Sequence, residues 1–151
     1  MDSVSQLIER LYSKDNKTAY QALKVLELES EKSNVVYKFF DRFAEMIKNS
    51  NSYIRTRGII LISVNAKWDT ENKINEIIDD YLKHILDDKP ITARQCIKGL
   101  ENIVKHKLDL VECIKEALSK ADVTIYGDSM QPLVYKDIVS VLEKIKWQLS
   151  I

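Results

Sequence analysis

The stretch Tyr53-Ile54-Arg55-Thr56-Arg57-Gly58-Ile59-Ile60-Leu61-Ile62 decides how the rest of the chain is read. Four successive apolar residues, Ile59 to Ile62, cover most of a helix circumference, whereas an amphipathic surface helix keeps one face polar. Its β-branched content makes a strand the obvious competitor. The apolar character, however, continues past Val64 and Ala66 to Trp68, and helical patterns flank it on both sides. The stretch is therefore expected to be a helix over 53–68, buried on more than one side and central to the fold.

On its N-terminal side, Val36, Phe39, Phe40, Phe43, Ala44 and Ile47 form a wide apolar stripe of the kind a helix buries. Before it, Ala19, Ala22, Leu23 and Leu26 share one face of a helix opening near Asn16, and Val4, Leu7, Ile8 and Leu11 share a face of a short helix that Ser3 or Ser5 can cap. On its C-terminal side, Asp69-Thr70-Glu71 supplies caps and first-turn acids to the clearest helix of the chain. There Ile74, Ile77, Ile78, Tyr81, Leu82, Ile85 and Leu86 recur at the i, i+3, i+4, i+7 rhythm. Pro90 suits the first turn of the next helix, whose stripe is Ala93, Cys96, Ile97, Leu100, Ile103 and Val104. Two more segments follow, one with Leu110, Val111, Ile114, Ala117 and Leu118, the other with Val134, Ile138, Val141, Leu142 and Ile145. Tyr126-Gly127-Asp128-Ser129 between them reads as an exposed loop.

Composition agrees with helices. Only 3 Gly and 2 Pro are available among 151 residues, too few for a sandwich or barrel that turns every few residues. A chain with 45% hydrophobic and 30% charged residues folds as an ordinary globule, and its length fits one domain, 1–151. With 23 basic residues against 23 acidic ones, the chain lacks the basic excess that nucleic-acid or anionic-membrane surfaces rely on. No apolar run approaches a membrane span and the first residues do not read as a signal peptide, so a cytoplasmic protein is expected. Cys96 and Cys113 have no CxxC spacing and fall on apolar stripes, so both are expected to be buried, reduced thiols.

Helix pairs beginning near Asn16, Ser52 and Lys89 lie 36 and 37 residues apart, and a final helix near Gln131 opens a fourth unit at a longer interval. That is solenoid spacing: a single pair cannot bury its apolar faces, so neighbours stack and the terminal elements cap. Eight helices in a globin-like or bundle arrangement are the competing architecture.

Two runs, Tyr53 to Gly58 and Lys89-Pro90-Ile91-Thr92-Ala93-Arg94 with Asp88 just ahead, resemble the acidic residue, proline and arginine that open the first helix of HEAT repeats. The run from Ile91 to Ile145 is similar to small bacterial HEAT-like proteins. The resemblance implies an all-α fold, a right-handed α-α superhelix of about three antiparallel helix pairs with terminal capping helices. It further implies first helices on the convex side, second helices along a concave groove, and binding of proteins or, in a few branches, nucleic acid. The first unit departs from the pattern, with Tyr20 at the arginine position, and the fourth has no second helix.

The chemistry-bearing residues do not assemble into a catalytic motif. His84 and His106 lie in different units at polar positions and read as surface histidines. The pairs Asp79-Asp80 and Asp87-Asp88 point successive side chains about 100° apart on a helix, which suits neither a shared metal nor an acid-base dyad. There is no Gly-rich phosphate loop, GxSxG or HExxH. No enzyme activity and no cofactor are therefore expected. Candidate partner-binding residues are Tyr37, Lys38, Arg42, Tyr53, Arg55, Arg57, Trp68 and Arg94, because aromatic and arginine side chains dominate interface hot spots. The structural reading weighs against part of that set: Arg57 and Arg94 are expected to pair with acids or loop carbonyls between units, and Trp68 to plug the base of a helix pair. The leading function is a non-catalytic adapter for another protein. The alternative is a nucleic-acid-binding module using Arg55, Arg57, Lys67 and Trp68, and association of the chain with itself through apolar solenoid ends is a third.

Overall fold

The computed structural model describes residues 2–150, and among these no strand occurs. Eight α-helices follow in chain order: α1 (Val4–Arg10), α2 (Asn16–Lys32), α3 (Phe40–Met46), α4 (Ser52–Val64), α5 (Lys73–Leu82), α6 (Pro90–His106), α7 (Val111–Lys120) and α8 (Gln131–Ser150). Their starts follow from local chemistry. Ser3 closes a capping box with Gln6, Asp15 accepts from Lys17 N–H, Asn51 accepts from Tyr53 N–H, and Pro90 occupies the first turn of α6.

Two expected helices are interrupted. The stripe from Val36 to Ile47 divides into a 3-10 turn, Tyr37–Phe39, and α3, because Phe39 at φ −100° and ψ 17° leaves helical geometry. The central helix stops at Val64, where the buried Asn65 amide donates back to the Leu61 carbonyl, and Ala66–Trp68 continues as a 3-10 turn. Its burial is as expected: Ile59, Leu61 and Ile62 are fully buried, and Arg55, Arg57, Gly58 and Ser63 are buried beside them. Each of the three aliphatic side chains contributes roughly 1.5–3 kcal/mol on leaving water.

The even-numbered helices run side by side in the order α2, α4, α6, α8. The odd-numbered helices pack onto this row, α1 against α2, α3 against α4, the turn after α5 against α6, and α7 against α8. Of their neighbours in the chain, α2, α4 and α6 thus pack chiefly on the element that precedes each of them, not on the helix that follows as the sequence spacing suggests. Two glycines permit the closest approaches. A Cβ on Gly58 would meet Met46 Cβ at 2.7 Å across the α3–α4 contact, and one on Gly99 would meet the Tyr81 hydroxyl at 2.4 Å and Ser63 Cβ at 2.8 Å.

Several long-range polar bonds recur at similar separations. Tyr37 to Asp69, Arg55 to Asp87, Asn65 to Ser30, Thr56 with Thr92, Trp68 to Ser30 and Asn102 to Ser63 all join residues 32 to 39 apart. Arg94 to Asp137 and Gln148 to Val104, which tie α8 to α6, join residues 43 and 44 apart, matching the longer final interval.

Candidate binding cleft

Apart from Arg57, the buried charges among the described residues fall at two nodes that tie distant helices together. At the first, Arg55 Nε and Nη2 donate to the two carboxylate oxygens of Asp87 at 3.0 and 2.8 Å, and Nη1 donates to the carbonyls of Asn49 and Ser50. His84 Nδ1 lies 2.7 Å from Asp87 Oδ2, Lys89 N–H donates to Oδ1, and the Tyr126 hydroxyl donates to the Asp87 carbonyl. Burial alone would raise the Asp87 pKa, but the Arg55, Lys89 and His84 bonds outweigh it and bring it down to about 2. At the second node Asp69 accepts from the Tyr37 hydroxyl and from the backbone N–H groups of Lys73 and Ile74, capping α5, while Lys107 Nζ lies 3.3 Å away. Burial again opposes the ionised form, and these bonds still leave Asp69 below the usual carboxylate range.

These nodes absorb much of the candidate binding set. Tyr37 is buried on Asp69, Arg55 on Asp87, and Arg94 pairs with Asp137 at 2.6 Å. Trp68 donates its indole N–H to the Ser30 carbonyl at the end of α2, as a plug for that helix end. Arg42 pairs with Glu9 at 2.9 Å and lies over the Tyr12 ring, and Lys38 is exposed on the turn before α3. Three expectations need correction. Cys113 is exposed, because α7 packs on α8 through Ile114 and Leu118 and turns Cys113 aside; Cys96 alone is buried. Tyr126 is drawn inward by its bond to Asp87, so only Gly127 to Ser129 form exposed loop. His84 is only partly exposed, because its ring closes onto Asp87.

From that set Tyr53 and Arg57 line an open cleft of about 1050 Å³ along α2, α4 and α6. Each helix contributes the same stripe: Tyr20, Lys24 and Glu27 from α2; Tyr53, Arg57, Ile60 and Val64 from α4; Ile91, Gln95, Lys98 and Asn102 from α6. The spacing of i, i+4 and i+7 places each stripe on one helix face. Tyr20, Tyr53 and Ile91 are 57%, 59% and 60% exposed and stand together on one wall. The charge is lopsided: Lys24, Arg57, Lys89 and Lys98 face one carboxylate, Glu27, in a chain whose formal net charge is +0. Lys24 lies 3.2 Å from Glu27, whereas Arg57, Lys89 and Lys98 form no ion pair among the described residues.

Arg57 is the unusual member. It is 6% exposed, and its guanidinium is held by neutral groups, the Leu11 carbonyl at 2.8 Å and Asn16 Oδ1 at 3.2 Å, with the Tyr53 ring 5.9 Å away. Burial pushes its pKa down, and the charge is kept because guanidinium holds its proton far above neutrality. The sequence expectation of a carbonyl partner is met at Leu11, but no acid answers this cation. Tyr20, Lys24, Gln95, Lys98 and Asn102 escaped the sequence reading because each stripe, taken singly, looks like a solvated helix face. Comparison of the chain with protein-family models, curated proteins and solved structures finds no match.

Proposed function

We propose that this chain is a non-catalytic adapter, a short HEAT-like solenoid that holds a partner protein in the cleft of α2, α4 and α6. The observation that carries the reading is the conjunction, on one wall, of exposed Tyr20, Tyr53 and Ile91 with cations that the chain does not neutralise. Large apolar groups left in water are stabilised by being covered, and tyrosine and arginine are the residues through which interfaces gain most of their energy. Rows of stacked helices offer extended surfaces of this kind. The buried carboxylates Asp87 and Asp69 support the non-catalytic part because hydrogen bonds within the fold already occupy them and they lie outside the cleft lining. A right-handed superhelix is the architecture in keeping with this reading, supported by polar bonds repeating at 32 to 39 residues.

The test is affinity purification of the tagged chain from its host, beside a Tyr53→Ala, Lys98→Glu variant. A stoichiometric protein recovered by the parent chain and lost by the variant supports the adapter. Recovery of no protein, or equal recovery by both, overturns the use of this cleft. Co-purifying nucleic acid released by salt would favour the alternative reading.

A further inference from the structure

We infer that the cleft takes one class of partner, a short acidic amphipathic segment of another protein, docked across α2, α4 and α6; this rests on the adapter reading and deepens it. The cleft floor is apolar, with Leu23, Ile60 and Val64, and Ile91 at its edge. Cations stand around it, with Arg57 toward the start of α4 and Lys24, Lys89 and Lys98 on the flanking elements. A partner that fits must bring apolar side chains for the floor and anionic groups for the rim on one stretch of chain. A carboxylate reaching Arg57 gains a bidentate, charge-assisted contact. It also neutralises a buried cation for which the fold supplies only neutral acceptors.

The same features argue against a nucleic-acid strand as the occupant. A phosphate backbone wants a continuous cationic track, whereas this lining mixes its cations with Glu27 and apolar Leu23, Ile60, Val64 and Ile91. Its affinity would also lean on counterion release, which four cations supply only weakly. Length follows from geometry. Three helices packed 8–10 Å apart separate the outer axes by about 20 Å, which roughly 13 residues of helix span. Two or three apolar positions at helical spacing, flanked by glutamate or aspartate, match the cleft, as in other helix-in-groove recognition.

The experiment is selection of displayed random peptides of about 15 residues, slightly longer than the span just derived, against the full chain, followed by anisotropy measurements on the enriched peptides. Each is measured against the parent chain, a Lys24→Glu, Lys98→Glu variant and a Tyr53→Ala variant. All three positions are exposed, so the variants keep the fold, and circular dichroism verifies it. The expected result is enrichment of acidic peptides with spaced apolar residues. Their affinity falls about tenfold or more on the charge-reversed variant and on Tyr53→Ala, and replacing their acids by amides causes a similar loss. Peptides that are neutral or basic, or whose binding ignores the charge reversal, overturn the acidic-segment inference and leave a peptide-binding adapter standing. No enrichment, with a single-stranded oligonucleotide of about 15 nucleotides binding in a salt-dependent way, overturns both.

Discussion

Replacing Asp87 with asparagine isolates the bond that joins α4 to the turn ahead of α6. Arg55 donates to both Asp87 oxygens, at 3.0 and 2.8 Å, and to Asp88 Oδ1 at 2.8 Å. Removing one partner of a buried ion pair costs about 3–5 kcal/mol, because the remaining charge is left in a poor solvent. Two retained interactions reduce that figure. Asp88, with its side chain 79% exposed, still faces the guanidinium, and the asparagine oxygen still accepts one bond. A loss of about 2–3 kcal/mol is expected, close to a fall of ~4–12 °C in Tm for a chain of this size. Urea denaturation followed by circular dichroism should show a lower midpoint with an unchanged slope. Asp88→Asn, which removes only the exposed partner, should cost less than about 1 kcal/mol. In a double-mutant cycle with Arg55→Met, the second substitution should cost much less than it does alone, with a coupling above about 1 kcal/mol. Equal losses from Asp87→Asn and Asp88→Asn, or additive behaviour in the cycle, would refute the assignment of the node.

The same node sets an acid limit. Asp87 titrates at about 2 in the folded chain and near 3.8 when unfolded, so its contribution is complete above the unfolded value and is lost as pH falls through the folded one. The unfolding free energy of the parent chain, read from urea titrations, should drop between about pH 4 and pH 2 by ~2 kcal/mol from this group, and more shallowly in Asp87→Asn. Gly99→Ala should cost about 1–3 kcal/mol by calorimetry, because its methyl group collides with the Tyr81 hydroxyl and Ser63. Thiol titration of the native chain should find one reactive cysteine, Cys113, and a second, Cys96, only in denaturant. Trp68→Phe should lower stability by about 1 kcal/mol through the lost bond to Ser30, read as a lower urea midpoint by circular dichroism.

Helix positions were largely legible because they depend on local chemistry. Asn16, Ser52 and Pro90 open α2, α4 and α6 where the periodicity and turn residues place them, and the interval between units reappears in the polar bonds. The phase of pairing was not legible. An apolar stripe reports that a face is buried, but not which neighbour buries it, and the stripe from Val36 to Ile47 serves α4 as well as its own unit. The cleft was hidden for a related reason. Lys24 and Lys98 stand far apart in the chain, and only the stacking of α2, α4 and α6 brings them to one wall. Arg55, Arg57 and Arg94 look equivalent in sequence, yet two face carboxylates and one faces neutral oxygens, a difference set by residues tens of positions away.

The near-constant reach of the polar bonds bears on how the chain folds. Entropy lost in closing a loop grows with the logarithm of its length, so bonds spanning 32 to 39 residues carry almost the same closure cost along most of the molecule. None of them asks distant ends of the polypeptide to meet. Ordering can thus advance from helix to helix at a nearly uniform entropic step through the middle of the chain, and the longer spans of 43 to 46 residues fall at its two ends, where Arg94 and Gln148 seat α8 and Arg57 holds the Leu11 carbonyl.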